Sequence, residues 1–275
     1  MIFDLRPAHG QRILMDGMPG LIHSGDDFGM NAAGIAITET TISEFRGFDP
    51  AGVPEFVRAR KAMQYATGID DFDRIMRAGN NGGYANTWLV ADTAHNEIAR
   101  LELGLVHVTL ERATDGVFFG ANFPIDPGLA AEETDFPAND PAVSACARRT
   151  RWEQLMPEFK GRIDLAAAKR FLADHVDAYA GKADAPSERT LCGHVDLSPR
   201  GMKPWQDEFG PAGTVQAKAA DAAMVGRMEL EAAMGHPCGL DFHAVEHLAR
   251  YPQHAWQKGL LRDLPSRPWT LFSAP

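Results

Sequence analysis

Hydrophobic and polar residues alternate along this chain with two different periods. Residues 12–22 and 31–43 are rich in Ile, Leu, Thr and Ala and read as strands, joined through Ser24-Gly25-Asp26-Asp27. Within the second, Ala33-Gly34-Ile35-Ala36-Ile37-Thr38 is apolar or small throughout, as in a strand covered on both faces. The period then changes. Val53, Phe56, Val57, Arg60 and Met63 recur at helical spacing from about Pro54, and Gly68 supplies a stop. Asp70 and Asp71 open a second short helix with Phe72, Ile75 and Met76 on its inner face. Residues 84–92, 96–103, 105–112 and 115–120 return to the strand pattern, separated by Ala94-His95-Asn96, Gly104 and Thr114-Asp115-Gly116.

Helices are expected at 144–157 and from an Asp164 cap to Gly181, the latter with a stripe of Leu165, Ala168, Phe171, Leu172, His175, Val176 and Tyr179. A strand at 190–195, a segment around 213–224 and a helix at 241–249 follow. The tail, with Pro252, Pro265, Pro268 and Pro275, is expected to run irregularly over the surface. This order of strands, helices, strands and helices predicts an α+β fold rather than βαβ alternation. No repeat or shift in composition divides the chain, so a single domain over 1–275 is expected.

Composition narrows the function classes. The 275 residues are 45% hydrophobic and 23% charged, which excludes wholesale disorder. No apolar run approaches the roughly 20 residues of a membrane span, and the first residues lack the pattern of a secretory signal. The net charge of −10 argues against nucleic acid or an anionic membrane surface as partner. The three cysteines, Cys146, Cys192 and Cys238, are odd in number and widely spaced, which speaks against a disulfide framework and a Cys-based zinc ribbon. A reducing, cytoplasmic setting follows for the chain as written.

Several motifs carry candidate chemistry. Asp27-Phe28-Gly29 matches a kinase magnesium tripeptide but lacks the rest of the kinase set. His243-Ala244-Val245-Glu246-His247 places two imidazoles at i and i+4 of an expected helix. His243 and His247 would share a zinc ion, with Glu246 as base on the bound water, giving a zinc-peptidase alternative. Against it stands an ordinary amphipathic helix with Phe242, Val245 and Leu248 inside; the sole later carboxylate is Asp263. His236-Pro237-Cys238-Gly239 reads as a reactive thiol or as a buried Cys in a turn. Two further stretches, residues 19–42 and 80–88, are dense in Asn, Gly, Thr and acidic residues. Such residues suit a polar site at strand ends, and turn chemistry alone uses the same types.

The stretch 19–42, with Ser24-Gly25-Asp26-Asp27-Phe28 and Thr38-Glu39-Thr40-Thr41, resembles a block of the phospholipase B-like proteins and the related acyl-coenzyme A:isopenicillin N acyltransferase family. Asn80-Asn81-Gly82-Gly83-Tyr84-Ala85-Asn86-Thr87-Trp88 resembles a second block, and 213–224 resembles a third weakly, with Gln216-Ala217 where an acidic residue is expected. The resemblance implies an N-terminal nucleophile (Ntn) hydrolase: a four-layer αββα sandwich, autocatalytic cleavage, and a new N-terminal Cys that forms an acyl-enzyme from an amide or ester. By this resemblance Asn80 donates to the oxyanion, the backbone near Thr41 supplies a second donor, and Arg148 lines the site, although an exposed helix charge is an equal reading of Arg148. Asp27, Asn31, Glu39, Thr40, Tyr84, Asn86 and Trp88 are the expected substrate-binding residues. No cofactor and no metal belong to this chemistry; the partner is a small acyl substrate.

The family's nucleophilic Cys has no counterpart here. The sequence begins at Met1 and enters the pattern at what corresponds to a third strand, and its cysteines all lie too late. A start codon assigned too late or a shortened chain, a separate Cys-bearing chain, or a non-catalytic acyl-ligand-binding relative would each account for this. The first is favoured, because strands lost from a sheet leave exposed edges. A preceding segment would also permit a secreted or periplasmic location, and an apolar edge at Met1 would favour a homodimer.

Overall fold

The computed structural model describes residues 1–24, 28–198 and 213–273. The chain divides into two compact units: Met1–Ala138 with Asp221–Leu230 and Phe272–Pro275, and Asn139–Ala220 with Glu231–Leu271. The expected α+β class is observed.

The first unit is built on a seven-stranded sheet whose spatial order equals chain order. Its strands are β1 (Ile2–Leu5), β2 (Ile13–Asp16), β3 (Gly29–Asn31), β4 (Ile35–Thr41), β5 (Asn86–Asp92), β6 (Glu97–Leu103) and β7 (Val108–Ala113), and every neighbouring pair is antiparallel. Between β4 and β5 come α1 (Glu55–Tyr65) and α2 (Ile69–Arg77), and α3 (Pro127–Glu132) follows β7. Alternate residues of the strands, Ile35 and Ile37, Trp88 and Val90, Ala99, Leu101 and Leu103, join Ala59, Ala62, Met63, Phe72 and Met76 of the helices in one core. The strand period of two and the helical period meet at this seam. The inner face of α1 differs from expectation: Phe56 is 42% exposed, while Ala59, Ala62 and Met63 are buried. Short side chains there let the helix lie close to the sheet.

The opposite sheet face is polar. Thr87 and Glu102 are cross-strand partners, both buried. Glu102 accepts the Ile125 N–H at 2.7 Å and the Asp126 N–H, so irregular chain covers this face. Burial pushes the Glu102 carboxyl pKa up, against the pull of those two backbone donors. Residues 115–120, expected as a strand, belong to this covering segment and join no ladder. Gly120 sits where a Cβ would lie 2.2 Å from the Thr40 methyl, so the chain passes too close for any side chain.

In the second unit α4 (Ser144–Glu158) and α5 (Leu165–Leu172) pack Leu155, Ala167, Phe171 and Leu191 together, with Trp152 and Phe159 edge-on to Phe171. Asp164 caps α5 by accepting the Ala167 N–H at 2.7 Å, as expected. The helix stops at Leu172 rather than Gly181. Asp174 takes the Val176 N–H at 3.0 Å and Asp177 takes the Ala180 N–H at 2.9 Å. These local carboxylate bonds replace the helical ladder. Residues 190–195, expected as a strand, run as buried irregular chain into a 3-10 turn at Val195–Leu197.

Further along are β8 (Gln216–Ala219), α6 (Ala222–Gly226), β9 (Glu229–Met234), α7 (Ala244–Arg250) and β10 (Thr270–Ser273). Strands β10, β9 and β8, in that order, form a three-stranded sheet; β9 and β10 were not anticipated from the sequence. No helix among the described residues is long and apolar enough to cross a membrane.

Candidate functional site

The two polar blocks meet at one end of the seven-stranded sheet, where β4 ends and β5 begins. Register places Thr41 opposite Asn86 and Glu39 opposite Trp88. These four share the helix-side face because they differ by even steps along their strands. Asn86, fully buried, donates from Nδ2 to Glu39 Oε1 at 2.5 Å. Thr40, one residue out of phase, faces the other side and accepts the Asn122 N–H at 2.7 Å through Oγ1. Thr41 contributes its carbonyl, which accepts from Asn122 Nδ2 at 2.9 Å.

Asn80 closes the loop before β5. Its Oδ1 accepts the Gly82 N–H at 3.0 Å and its Nδ2 donates to the Gly104 carbonyl at 2.5 Å. An amide nitrogen carries two hydrogens, and this bond uses one. Tyr84 is 54% exposed, and Trp88 is fully buried, edge-on to Phe72 at 5.9 Å. Three buried polar atoms in this short block, Asn81 Oδ1, Asn86 Oδ1 and Trp88 Nε1, have no hydrogen-bond partner among the described residues. Buried groups of this kind are satisfied by ordered water or by a ligand. Asn81 was not singled out from the sequence; its place beside Asn80 in the loop was the available signal.

Asn31 has a different role. Its Nδ2 donates to the Met63 and Ala66 carbonyls, each at 3.0 Å, and its Oδ1 accepts the Ala33 and Ile35 N–H groups, each at 3.1 Å. It fastens the β3–β4 turn to the end of α1, with its hydrogen-bonding capacity spent on backbone. Asp27 lies outside the described residues. An apolar pocket opens next to the polar end, walled by Met15, Ile37, Ala59, Met63 and Trp88, with His23, Ser24 and Arg60 also lining it.

Arg148 belongs to the second unit, on α4, where its Nε donates to Ser144 Oγ at 3.1 Å. Burial works against its charge. The motif His243-Ala244-Val245-Glu246-His247 does not converge, a correction to the zinc-peptidase expectation. His243 precedes α7 in extended backbone (φ −112°, ψ 109°), so it is out of helical phase with His247. His243 and Glu246 are exposed, whereas His247 is buried between Phe242 and Tyr251, each ring centroid 5.1 Å away.

A separate cluster lies wholly in the second unit. His175, Cys192, His194 and Cys238 bring one donor atom each to within 4.8 Å of all the others. His194 Nε2 is 3.2 Å from His175 Nε2 and 3.4 Å from both Cys192 Sγ and Cys238 Sγ. The Cys238 thiol pKa is pushed far down by the neighbouring Cys192 thiol and by the two imidazoles, while that of Cys192 is pushed up by its contact with Cys238 and by burial. The cysteine spacing had spoken against such a site. The overlooked signal was the pair of tripeptides Cys192-Gly193-His194 and His236-Pro237-Cys238, each joining a thiol to an imidazole two residues away.

Comparison with known proteins bears on the first unit. The phospholipase B family model matches residues 2–112. A Caenorhabditis elegans protein named "Putative phospholipase B-like 2" is 36% identical over 80 residues, covering 27% of this chain and 14% of that protein. Proteins of the same name from Bos taurus and Rattus norvegicus are 32% and 34% identical over 91 and 93 residues, each match covering 15% of the relative. The aligned stretch is therefore a small part of each relative's length. The family-model match contains the blocks that carry Glu39, Asn80 and Asn86, on nearly all of the seven-stranded sheet, and over residues 2–112 the chain is similar to the phospholipase B-like proteins.

Proposed function

We propose that the protein is an acyl hydrolase of the phospholipase B-like type, cleaving an amide or ester through a covalent acyl-enzyme. The observation that carries this reading is the match of residues 2–112, because it spans the sheet end where three buried polar atoms lack partners. In this reading the second Nδ2 hydrogen of Asn80 points at the oxyanion of the tetrahedral intermediate. The bond to Gly104 holds the amide in place, so the donor is oriented before substrate arrives. Glu39 fixes Asn86 in the same way. The reading includes the αββα layering and an Ntn-type acyl transfer, but it assigns the nucleophile to no residue of the sheet end, since the family's N-terminal Cys has no counterpart in the 275 residues.

The test is turnover of a series of acyl amides and acyl esters of increasing chain length. Hydrolysis of at least one amide or ester in the series is expected. Asn80→Ala should lower kcat by about 10²–10³-fold, the usual effect of losing one oxyanion donor. Hydrolysis undiminished in Asn80→Ala would remove the oxyanion role; no hydrolysis of any amide or ester by the wild-type chain would remove the proposed activity.

A further inference from the structure

We propose that His175, Cys192, His194 and Cys238 form a tetrahedral zinc site that staples the second unit. This inference does not depend on the acyl-hydrolase reading.

Geometry carries it. A tetrahedral site with Zn–N about 2.0 Å and Zn–S about 2.3 Å has edges of about 3.3 Å between nitrogens and about 3.5 Å between nitrogen and sulfur. The cluster shows 3.2 Å from His175 Nε2 to His194 Nε2, and 3.4 Å from His194 Nε2 to each sulfur. Four protein donors give a closed, structural set. Two thiolates and two imidazoles are a zinc donor combination.

The surroundings are arranged as outer-shell partners of a metal. His175 Nδ1 faces Asp184 Oδ1 at 3.1 Å, a carboxylate partner that would hold the ring with its Nε2 toward the cluster when a metal is bound. His194 Nε2 lies 3.2 Å from that nitrogen, the edge length that two imidazoles on one zinc ion would have. The Leu240 N–H approaches Cys238 Sγ at 3.5 Å, as a donor to a thiolate would. His236, 1% exposed, stacks on His194 with ring centroids 3.9 Å apart and donates from Nδ1 to the Thr214 carbonyl at 2.6 Å. Its Nε2 has no partner among the described residues, and His236 and Asp196 also converge on His194.

A redox pair or a catalytic thiol accounts for less. A catalytic thiol needs one sulfur and one base, leaving the second sulfur and second imidazole without a task. A disulfide leaves both imidazoles without one. The second unit also has reason to need a staple. Residues 173–198 contain no α-helix or long strand, yet Thr190, Cys192, His194 and Val195 are buried. The zinc would tie this irregular chain to the turn at 236–240. Binding exchanges charge without redox: Zn²⁺ displaces whatever protons the two sulfurs and the two ligating imidazole nitrogens hold, these pass to buffer, and the filled site of two thiolates, two neutral imidazoles and Zn²⁺ is neutral.

The experiment uses the whole chain, purified under reductant and stripped with a chelator, then titrated with zinc alone and in parallel with Co²⁺. One equivalent of zinc per chain is expected. Co²⁺ should give the intense visible bands of a tetrahedral site and a thiolate charge-transfer band. Cys238→Ser and His175→Ala should each weaken zinc binding at least tenfold, and Cys146→Ser should retain one equivalent. If the variants fail to fold, wild-type protein decides: zinc should protect two of its three thiols from a thiol reagent. Stripped protein that is folded yet binds no zinc, or thiols equally reactive with and without zinc, would overturn the proposal. So would a Cys192–Cys238 disulfide as the purified state.

Discussion

Replacing Asn31 with Ala removes four hydrogen bonds at one buried position. The last carbonyls of a helix have no partner within it, and the Asn31 amide nitrogen supplies one for Met63 and Ala66 at the end of α1. Its oxygen holds the Ala33 and Ile35 N–H groups at the entry to β4. At about 0.5–1.5 kcal/mol net for each bond, the loss should be about 2–6 kcal/mol, with orphaned backbone groups keeping it in the upper half of that range. Asn31→Asp keeps the acceptor but sets an oxygen against two carbonyls, so it should cost a similar amount. The assay is urea unfolding followed by tryptophan fluorescence, since Trp88 lies in the same core. The midpoint should fall with the slope unchanged. A loss below about 1 kcal/mol, less than a single ordinary core defect, would refute the structural role given to Asn31 and return it to the substrate-binding set.

Other perturbations test the second unit. Arg189 binds Asp177 through Nε at 2.8 Å and Nη2 at 2.6 Å, with both side chains nearly dry. Arg189→Met should cost about 3–5 kcal/mol in thermal or urea unfolding, and the paired Arg189→Met/Asp177→Leu should recover most of it, because an unpaired buried charge is the larger penalty. Burial works to raise the Asp177 carboxyl, but Arg189 and backbone donors hold it below the usual carboxylate range. A lowered folded pKa gives stability that is present above the unfolded value and lost as pH falls through the folded one. The stability gap between wild type and Arg189→Met should therefore narrow as pH falls through the wild-type Asp177 pKa, because both proteins then carry a neutral Asp177; a gap independent of pH would count against this pairing. Gly213→Ala should destabilise by more than about 1 kcal/mol, since Gly213 has φ +99° and a Cβ there would meet the Gly193 carbonyl oxygen at 2.2 Å. Zinc affinity in Gly213→Ala should drop as well, because Gly193 sits between Cys192 and His194; a variant with wild-type melting and zinc binding would contradict both statements.

The sheet of the first unit was legible where period and turn chemistry agreed. The apolar run around Ile35 and Ile37, and the strand patterns around Val90 and Leu101 with turn residues between them, place β4 to β6 within a few residues. The second unit was less so. Asp174 and Asp177 end α5 through side-chain bonds that the apolar stripe His175, Val176 and Tyr179 does not reveal. The site divides similarly. Residue types marked Glu39, Asn80 and Asn86 as a polar group, and the structure sets Glu39 against Asn86. The pattern could not separate Thr40 from Thr41, which strand parity sends to opposite faces, nor reveal that Asn31 is consumed by helix carbonyls. The His/Cys cluster was hidden because its members are 63 residues apart from His175 to Cys238, brought together by irregular chain that carries no periodic signal.

The most direct test of the central claim is intact mass of the protein after brief exposure to an activated long-chain acyl ester and an acyl amide. The account predicts a transient gain equal to the acyl group, absent after base treatment, which peptide mapping places on one nucleophile. That gain should form far more slowly in Asn80→Ala. No acyl adduct, together with no free acid released from either substrate, would contradict it.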